Sequence, residues 1–407
     1  MYISNNQYQK NTNISSVFES VWRSKNISRI AISKKLDLYR STITNIISSL
    51  IEKGLVKEGT SGNSTSRGGR KPIFLSINKD FACVIGIELQ YEKYSVVVLS
   101  IDGSILYKTS ADTPAIEQPQ TSPEKNFIYA MDSIIESLIE PVEKLNIPVI
   151  GLCVSIPGIV DVDRGIIKSS EVFGLHDFNF SEAFYDRYGI PCIPENDARC
   201  LSWKQFANNE KEDFICVLTK NMEGKKAFLN ENQKGIGVGI SIAIKGNIIH
   251  GSNFSAGEYI STSWKGQSSV QTGLPDSVID SLLKDDEAYS LWIADLFKTL
   301  TVFIPLLGPS KILFYGQEDS KKDFILATIA DKVPQFNKAL EKFNVTLDIC
   351  KNNEYEIAEG AAFKYLQRMF VVMETDNQSW IKCFDWDAAF ELQEKGLKHL
   401  QLHKANY

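Results

Sequence analysis

Residues 28–59 read SRIAISKKLDLYRSTITNIISSLIEKGLVKEG, two helical periods followed by the start of a strand. In the second period Ile43, Ile46, Ile47 and Leu50 recur on one helix face and predict a buried side. Arg40, Ser41, Thr42, Thr44, Asn45 and Ser48 are left outside. Ahead of this helix Asn26, Ile27 and Ser28 supply a turn with Ser28 as N-cap, and Ile30, Ala31 and Leu36 give a second compact helix. Upstream, Ile14, Val17, Phe18 and Val21, extended by Trp22, mark the face of a first helix. Downstream, Gly54 ends the third helix, the chain enters a strand, and residues 72–77 return as another. The loop between them, SGNSTSRGGRK, holds Arg67, Arg70 and Lys71 on a backbone loosened by Gly68 and Gly69.

Three helices alone also fit a structural bundle. The basic loop adds the decisive chemistry, because arginines on an extended hairpin can neutralise phosphates or enter a narrow groove. A helix that starts with small hydroxyls can approach a major groove closely, with its first N–H groups toward phosphate and Arg40 or Asn45 toward base edges. Charge agrees. The 407-residue chain carries 44 Lys plus Arg against 50 Asp plus Glu, yet residues 1–80 hold 13 basic and 5 acidic residues, a balance of +8. The remaining 31 basic and 45 acidic residues leave residues 81–407 at −14, so a polyanion is attracted to one end and repelled by the rest.

The acidic body mixes strands and helices. Strands are predicted at 84–87, 94–100, 105–107, 149–156, 191–194 and 214–218, with helices at 127–145, 180–188, after Glu195 and across 281–307. The glycine-rich residues 235–240 predict a tight loop opening a hairpin. The seven cysteines are scattered without a CxxC pair and accompany only four histidines, which argues against a disulfide framework or a zinc knuckle. The polar opening MYISNNQYQKNTN has no apolar signal core, and no 18 apolar residues run together. Export, a membrane span and an autonomous membrane anchor are therefore not expected, and the cytoplasm is.

The 28–59 stretch with its SRGGRKP loop resembles the winged-helix heads of the ROK family of repressors and sugar kinases. The body resembles the ROK domain through SIPGIVD at 155–161, PENDA at 194–198, KGIGVGI at 234–240, GSNFSAGE at 251–258 and LGPSKILFYG at 307–316. The similarity covers roughly residues 14–370. It implies an α/β chain in which an N-terminal winged helix-turn-helix (1–80) precedes a two-lobed actin-like, ribonuclease-H-like sugar-binding domain. The expected divisions are a first lobe at 81–195, a second at 196–370 with a return to the first near its end, and a C-terminal extension, read as a packed helix, at 371–407. By carry-over, Ser41, Thr42, Thr44, Asn45, Arg67 and Arg70 become the leading DNA contacts, with Arg40 and Lys71 beside them.

The same resemblance places Gly158, Asn196, Asp197 and Glu258 at a sugar. Amide and carboxylate groups suit adjacent hydroxyls because they fix several directional hydrogen bonds together inside a cleft. Asp197 could equally cap its helix, and Glu258 could face solvent. Glu171 stands where relatives place an Asn near the sugar, and His176 follows it in the same loop. In ROK kinases the aspartate matched by Asp197 is the catalytic base, so an ATP-dependent sugar kinase is the rival reading. Against it, the first phosphate loop, commonly Asp-x-Gly-Gly-Thr, is here Glu88, Leu89, Gln90, Tyr91 and Glu92, whose side chains crowd the phosphate approach and add negative charge. The His that supports structural zinc in relatives is missing after Glu258, where Tyr259 to Ser263 follow. The reading is a sugar-responsive repressor without ATP, zinc or other cofactor, binding a double-stranded operator as a homodimer or homotetramer. Ligand-independent DNA binding by a degenerate sugar domain is a third reading.

Overall fold

The first helix runs a full two turns further toward the N-terminus than its apolar face required. In the computed structural model, which describes residues 5–61, 72–114, 122–208, 212–222, 235–266, 271–316, 321–351, 353–370 and 384–395, α1 spans Asn5–Ser24 and buries Ile14, Val17, Phe18 and Val21. It is followed by β1 (Ile27–Ser28), α2 (Arg29–Leu36), α3 (Arg40–Glu52), β2 (Val56–Ser61) and β3 (Ile73–Ile77). Ser28 caps α2 as expected, its Oγ accepting from the Ala31 N–H at 3.3 Å. The inward face of α2 differs from the expected one: Ile32 is buried, whereas Ile30 and Ala31 face solvent. On α3, Ile43, Ile47 and Leu50 are buried and Ile46 half-buried. The short β1, which the apolar pattern did not announce, pairs antiparallel with β3 and makes the returning hairpin a three-stranded sheet in the order β1-β3-β2.

The body is built on two five-stranded mixed sheets. The first holds β4 (Cys83–Leu89), β5 (Lys93–Ser100), β6 (Ile105–Asp112), β7 (Val149–Ile156) and β11 (Cys192–Asn196) in the order β11-β7-β4-β5-β6. Between these strands come α4 (Pro123–Leu145), the small sheet of β8 (Ile159–Asp161), β9 (Ile166–Ser170) and β10 (Leu175–Asn179), and α5 (Phe180–Tyr188). Both faces of the five-stranded sheet are covered, which is why its central strands are apolar without alternation. Cys83, Ile85, Ile87 and Leu89 pack with Phe127, Met131 and Ile134 of α4, while Val84 joins the opposite cluster with Ala358 and Ala361. Gly86 faces that second side. A Cβ there would stand 2.0 Å from the Ala358 carbonyl oxygen, so only glycine lets the helix lie on the strand.

The second sheet follows α6 (Asp197–Asn208). It contains β12 (Phe214–Asn221), β13 (Ile236–Ile244), β14 (Asn247–Ile248), β15 (Lys311–Tyr315) and β16 (Thr346–Cys350), ordered β14-β13-β12-β15-β16. One face is covered by α8 (Asp286–Leu307), which is preceded by the single turn α7 (Asp276–Ile279), and by α9 (Lys322–Lys332) and α10 (Pro334–Phe343). Helix α8 is long and apolar enough by length and composition to cross a membrane, but its Trp292, Ile293, Leu296, Phe297, Leu300 and Ile304 form the second core. The glycine-rich segment is not the tight loop expected: Gly237 and Gly239 lie inside β13, paired with Lys220 and Leu218 of β12. Helix α11 (Glu356–Phe370) then packs against α6 and returns to β4 and β7. The last described element, α12 (Trp386–Lys395), lies against α1, where Trp386 is fully buried and its Nε1 donates to Ser15 Oγ at 3.0 Å.

Candidate functional site

The parallel strands β4, β7 and β11 end side by side, and their carboxyl ends carry Glu88, the Pro157–Gly158 turn and Asn196. Crevices at the carboxyl ends of such strands are the usual ligand positions of open α/β sheets. Asn196 closes the first part of the site. Its Nδ2 donates to the Gly158 carbonyl at 3.1 Å and its Oδ1 accepts from the Arg199 N–H at 3.2 Å, which caps α6. Gly158 holds φ +139°, and a Cβ there would meet the Ser169 carbonyl oxygen at 2.2 Å. Asp197, the first residue of α6, accepts from its neighbour Ala198 N–H through Oδ1 at 2.9 Å. The cap is thus supplied by Asn196, leaving Asp197 to the cleft.

Glu258 comes from the other side. It forms an isolated bridge with Gly239 of β13, beyond which Ala198 and Asp197 lie. Burial raises the Glu258 carboxyl above its ordinary range and the nearby Asp197 charge raises it further, against the opposing pull of Arg199. The residue is exposed at its surface, as solvent-facing placement would have it, while its carboxyl is enclosed enough for burial to act on it. Gly158, Asn196, Asp197 and Glu258 are therefore brought together. Glu171 and His176 are not tied to them by any hydrogen bond or ion pair among the described residues. Both are exposed on the β9–β10 hairpin, whose Ser169 and Ser170 abut the Gly158 turn.

Two groups in this region escaped sequence reasoning. The first is Lys220 at the end of β12, whose ammonium donates to Asp197 Oδ2 at 3.0 Å and to Glu88 Oε1 at 3.1 Å. Burial alone would lower its pKa; the charges of Asp197 and Glu88 outweigh that and raise it. The second is Glu195, fully buried, which takes Trp203 Nε1 at 3.1 Å and lies 3.4 Å from Lys364 Nζ, 3.7 Å from Arg199 Nη1 and 3.8 Å from His250 Nε2. Burial pushes its carboxyl up, but Lys364, His250 and Arg199 hold it well below the usual carboxylate range. Arg199 also donates to the carbonyls of Phe254 and Ala256, at 2.6 and 3.2 Å, and so anchors the loop that presents Glu258.

Where a phosphate loop would lie, the chain instead makes the turn between β4 and β5. Gln90 donates to Glu88 there, and Ser95 Oγ does so from β5. Among the described residues no three His, Cys, Asp or Glu side chains converge to hold a metal ion.

On the head, Arg40, Ser41, Thr44 and Asn45 are exposed along the outer face of α3, with Thr42 half-exposed. Thr44 Oγ1 donates to the Arg40 carbonyl at 2.8 Å. Tyr39 at the N-cap offers no side-chain cap, so its own hydroxyl does not close the helix start. Arg67, Arg70 and Lys71 lie outside the described residues.

Comparison with known proteins follows this geometry. The ROK family model matches residues 84–259, the stretch from β4 through Glu258. The chain carries a ROK family domain. It is 33% identical over 259 residues to the xylose repressor of Staphylococcus xylosus, covering 62% of this chain and 61% of that protein, so the match spans about three-fifths of the relative's length. It is 24% identical over 394 residues to the N-acetylglucosamine repressor of Escherichia coli O157:H7, covering 90% and 95% of the two chains. Among solved structures, a ROK family transcriptional regulator described as a homologue of the E. coli MLC protein superposes with a TM-score of 0.64 at 16% identity, over 95% of this chain and 99% of that one. A ROK family protein from Streptococcus pneumoniae TIGR4, solved with sucrose, gives 0.51 at 20% identity over 70% and 98%. These superpositions agree with the mixed α/β ROK architecture described above.

Proposed function

We propose that this protein is a sugar-responsive transcriptional repressor. In this reading residues 1–80 are a winged helix-turn-helix that docks α3 in a major groove, with Arg40, Ser41, Thr42, Thr44 and Asn45 at its surface. Arg67, Arg70 and Lys71 on the wing meet phosphates or a minor groove. Residues 81–195 and 196–370 are the two lobes enclosing a carbohydrate at Gly158, Asn196, Asp197 and Glu258, and residues 371–407 are a C-terminal extension whose helix α12 packs on the rest of the chain. Two copies, as a homodimer or homotetramer, read paired half-sites in the cytoplasm, since two heads reach a symmetric operator only at matched spacing.

The observation that carries the reading is the near full-length similarity to the N-acetylglucosamine repressor, 95% of that protein, because it spans both the head and the cleft. The hydrogen bond from Lys220 holds the Asp197 carboxylate in a fixed orientation, which supports its use as a directional acceptor in ligand binding. Fragments of the source genome titrated with the full chain at two salt concentrations test the DNA arm. Specific fragments should be retained, with affinity falling steeply as salt rises. Sugars added to the retained complex test the response, which requires unequal affinity for the DNA-competent and DNA-incompetent states. Affinity that does not change with any sugar would leave a constitutive DNA-binding protein, and production of a sugar phosphate from ATP would make it a kinase.

A further inference from the structure

The cleft holds a cation of its own. Lys220, Glu88 and Asp197 converge from three elements, β12, β4 and the start of α6, and their side chains are largely withdrawn from solvent, at 16%, 13% and 9% exposure. An ammonium has three N–H donors. One goes to Glu88 and one to Asp197, and among the described residues the third has no acceptor. Asp197 is likewise not saturated. Each carboxylate oxygen can accept twice, while Oδ1 takes the Ala198 N–H and Oδ2 takes Lys220.

An acceptor with spare capacity thus stands hydrogen-bonded to a donor with a spare proton, beside the Asn196–Gly158 turn. A hydroxyl is the group that answers both, donating its proton to Asp197 and accepting from Lys220. We infer that Lys220 is a specificity-determining residue of the sugar cleft, paired with Asp197 to read a single ligand hydroxyl as donor and acceptor together. The inference rests on the sugar-binding reading above. It also selects against an anionic ligand group at this position. Two carboxylates already surround the one ammonium, so the cluster carries a net negative charge that repels a phosphate or carboxylate. The same arrangement ties the second sheet to the first across the cleft, since Lys220 is on β12 and Glu88 on β4.

Calorimetric titration of the full chain with D-xylose, D-glucose and N-acetyl-D-glucosamine tests it, followed by monodeoxy and monodeoxyfluoro derivatives of each sugar that binds. The wild type should lose roughly 10–100-fold in affinity at one deoxy position, as for a lost hydrogen bond to a charged group. Fluorine at that position, which accepts weakly and cannot donate, should not restore the parent affinity. Lys220→Met should weaken the parent sugar by a similar factor and erase much of the penalty at that one position, leaving penalties elsewhere unchanged. Lys220→Gln keeps a donor without the charge and should fall between the two. Its folding, followed by circular dichroism melting, separates a lost contact from a lost fold. Parent affinity unchanged in Lys220→Met, or a deoxy pattern identical in the folded variants and the wild type, overturns the assignment and leaves sugar binding standing. Failure of all three sugars and their derivatives to bind the wild type overturns the sugar reading and this assignment with it.

Discussion

Glu195 is withdrawn completely from water and yet stays ionised because Lys364, His250 and Arg199 surround it and Trp203 donates to it. Removing one partner of such a group leaves the others as uncompensated buried charge, which typically costs about 3–5 kcal/mol. Glu195→Gln should therefore lower unfolding free energy by roughly that amount in urea titrations, while Lys220→Gln, nearer the cleft, should cost less. The pH sign follows from the depressed folded pKa. The native state holds the carboxylate deprotonated where the unfolded chain, with an ordinary value of about 4.3, has taken up its proton. Stability from Glu195 is thus fully present above that value and is lost as pH falls through the folded one. The gap between wild type and Glu195→Gln should not begin to close until pH drops below about 5, which chemical denaturation at a series of pH values would show. Neither residue was legible beforehand: Lys220 finds Glu88 132 positions away, and Glu195 finds Lys364 on a helix that returns from the far end of the chain. No local pattern encodes such pairs. The junction at Asn196 and Asp197 was legible because a polar turn between a strand and a helix is a local signal.

At the scale of elements, reading succeeded where one face repeats and failed where packing decides. The apolar period of α3 and the unbroken apolar runs of β4 and β7 mark themselves, as does Ser28 before α2. Replacing that cap by alanine should cost about 1 kcal/mol by thermal or urea unfolding, the usual loss for an N-cap hydroxyl. The glycines of β13 misled because a turn and a strand that another segment approaches closely call for the same residue. Gly239 is strand, and the space a Cβ would need there is taken by Ala198 of α6 at 3.3 Å. Gly86 is the stronger case of the same rule. With the Ala358 carbonyl 2.0 Å from the position of an added Cβ, Gly86→Ala must push α11 off the sheet. Overpacking of this kind costs about 1–3 kcal/mol, so the variant should melt earlier and expose the α6–α11 layer to faster amide exchange.

For the whole molecule, the question is how a cleft in the body reaches a helix on the head. Head and body share one apolar cluster, with Phe18 and Val21 of α1 in the same core as Tyr365, Met369 and Phe370 of α11. Trp22 lies against Phe363 and Phe370, and its Nε1 donates to the Ile101 carbonyl at 2.9 Å. Helix α12 closes the seam from outside. Trp386 packs on Phe18, Phe390 on Phe81, Lys53 of the α3 C-cap sits 3.9 Å over the Phe390 ring, and Lys10 pairs with Asp387 at 2.9 Å. From the other direction, Arg199 holds the Glu258 loop, shares Glu195 with Lys364, and Lys364 is on α11 beside Phe363. Under the proposed sugar-binding reading, a ligand that displaced that loop would act on the helix on which the head is seated, through closely packed groups. Trp386→Ala removes the largest fully buried side chain of the seam and should cost about 3–5 kcal/mol in attachment. Limited proteolysis should then cut the variant between head and body sooner than the wild type. If α12 sets the head's seating, the variant should still bind sugar with wild-type affinity and still bind DNA, but sugar should shift its DNA affinity by a smaller factor. A variant that is cut early yet shows an undiminished sugar-dependent shift would place the coupling in the α11–Trp22 contact alone, and Trp22→Ala would then be the substitution that abolishes it.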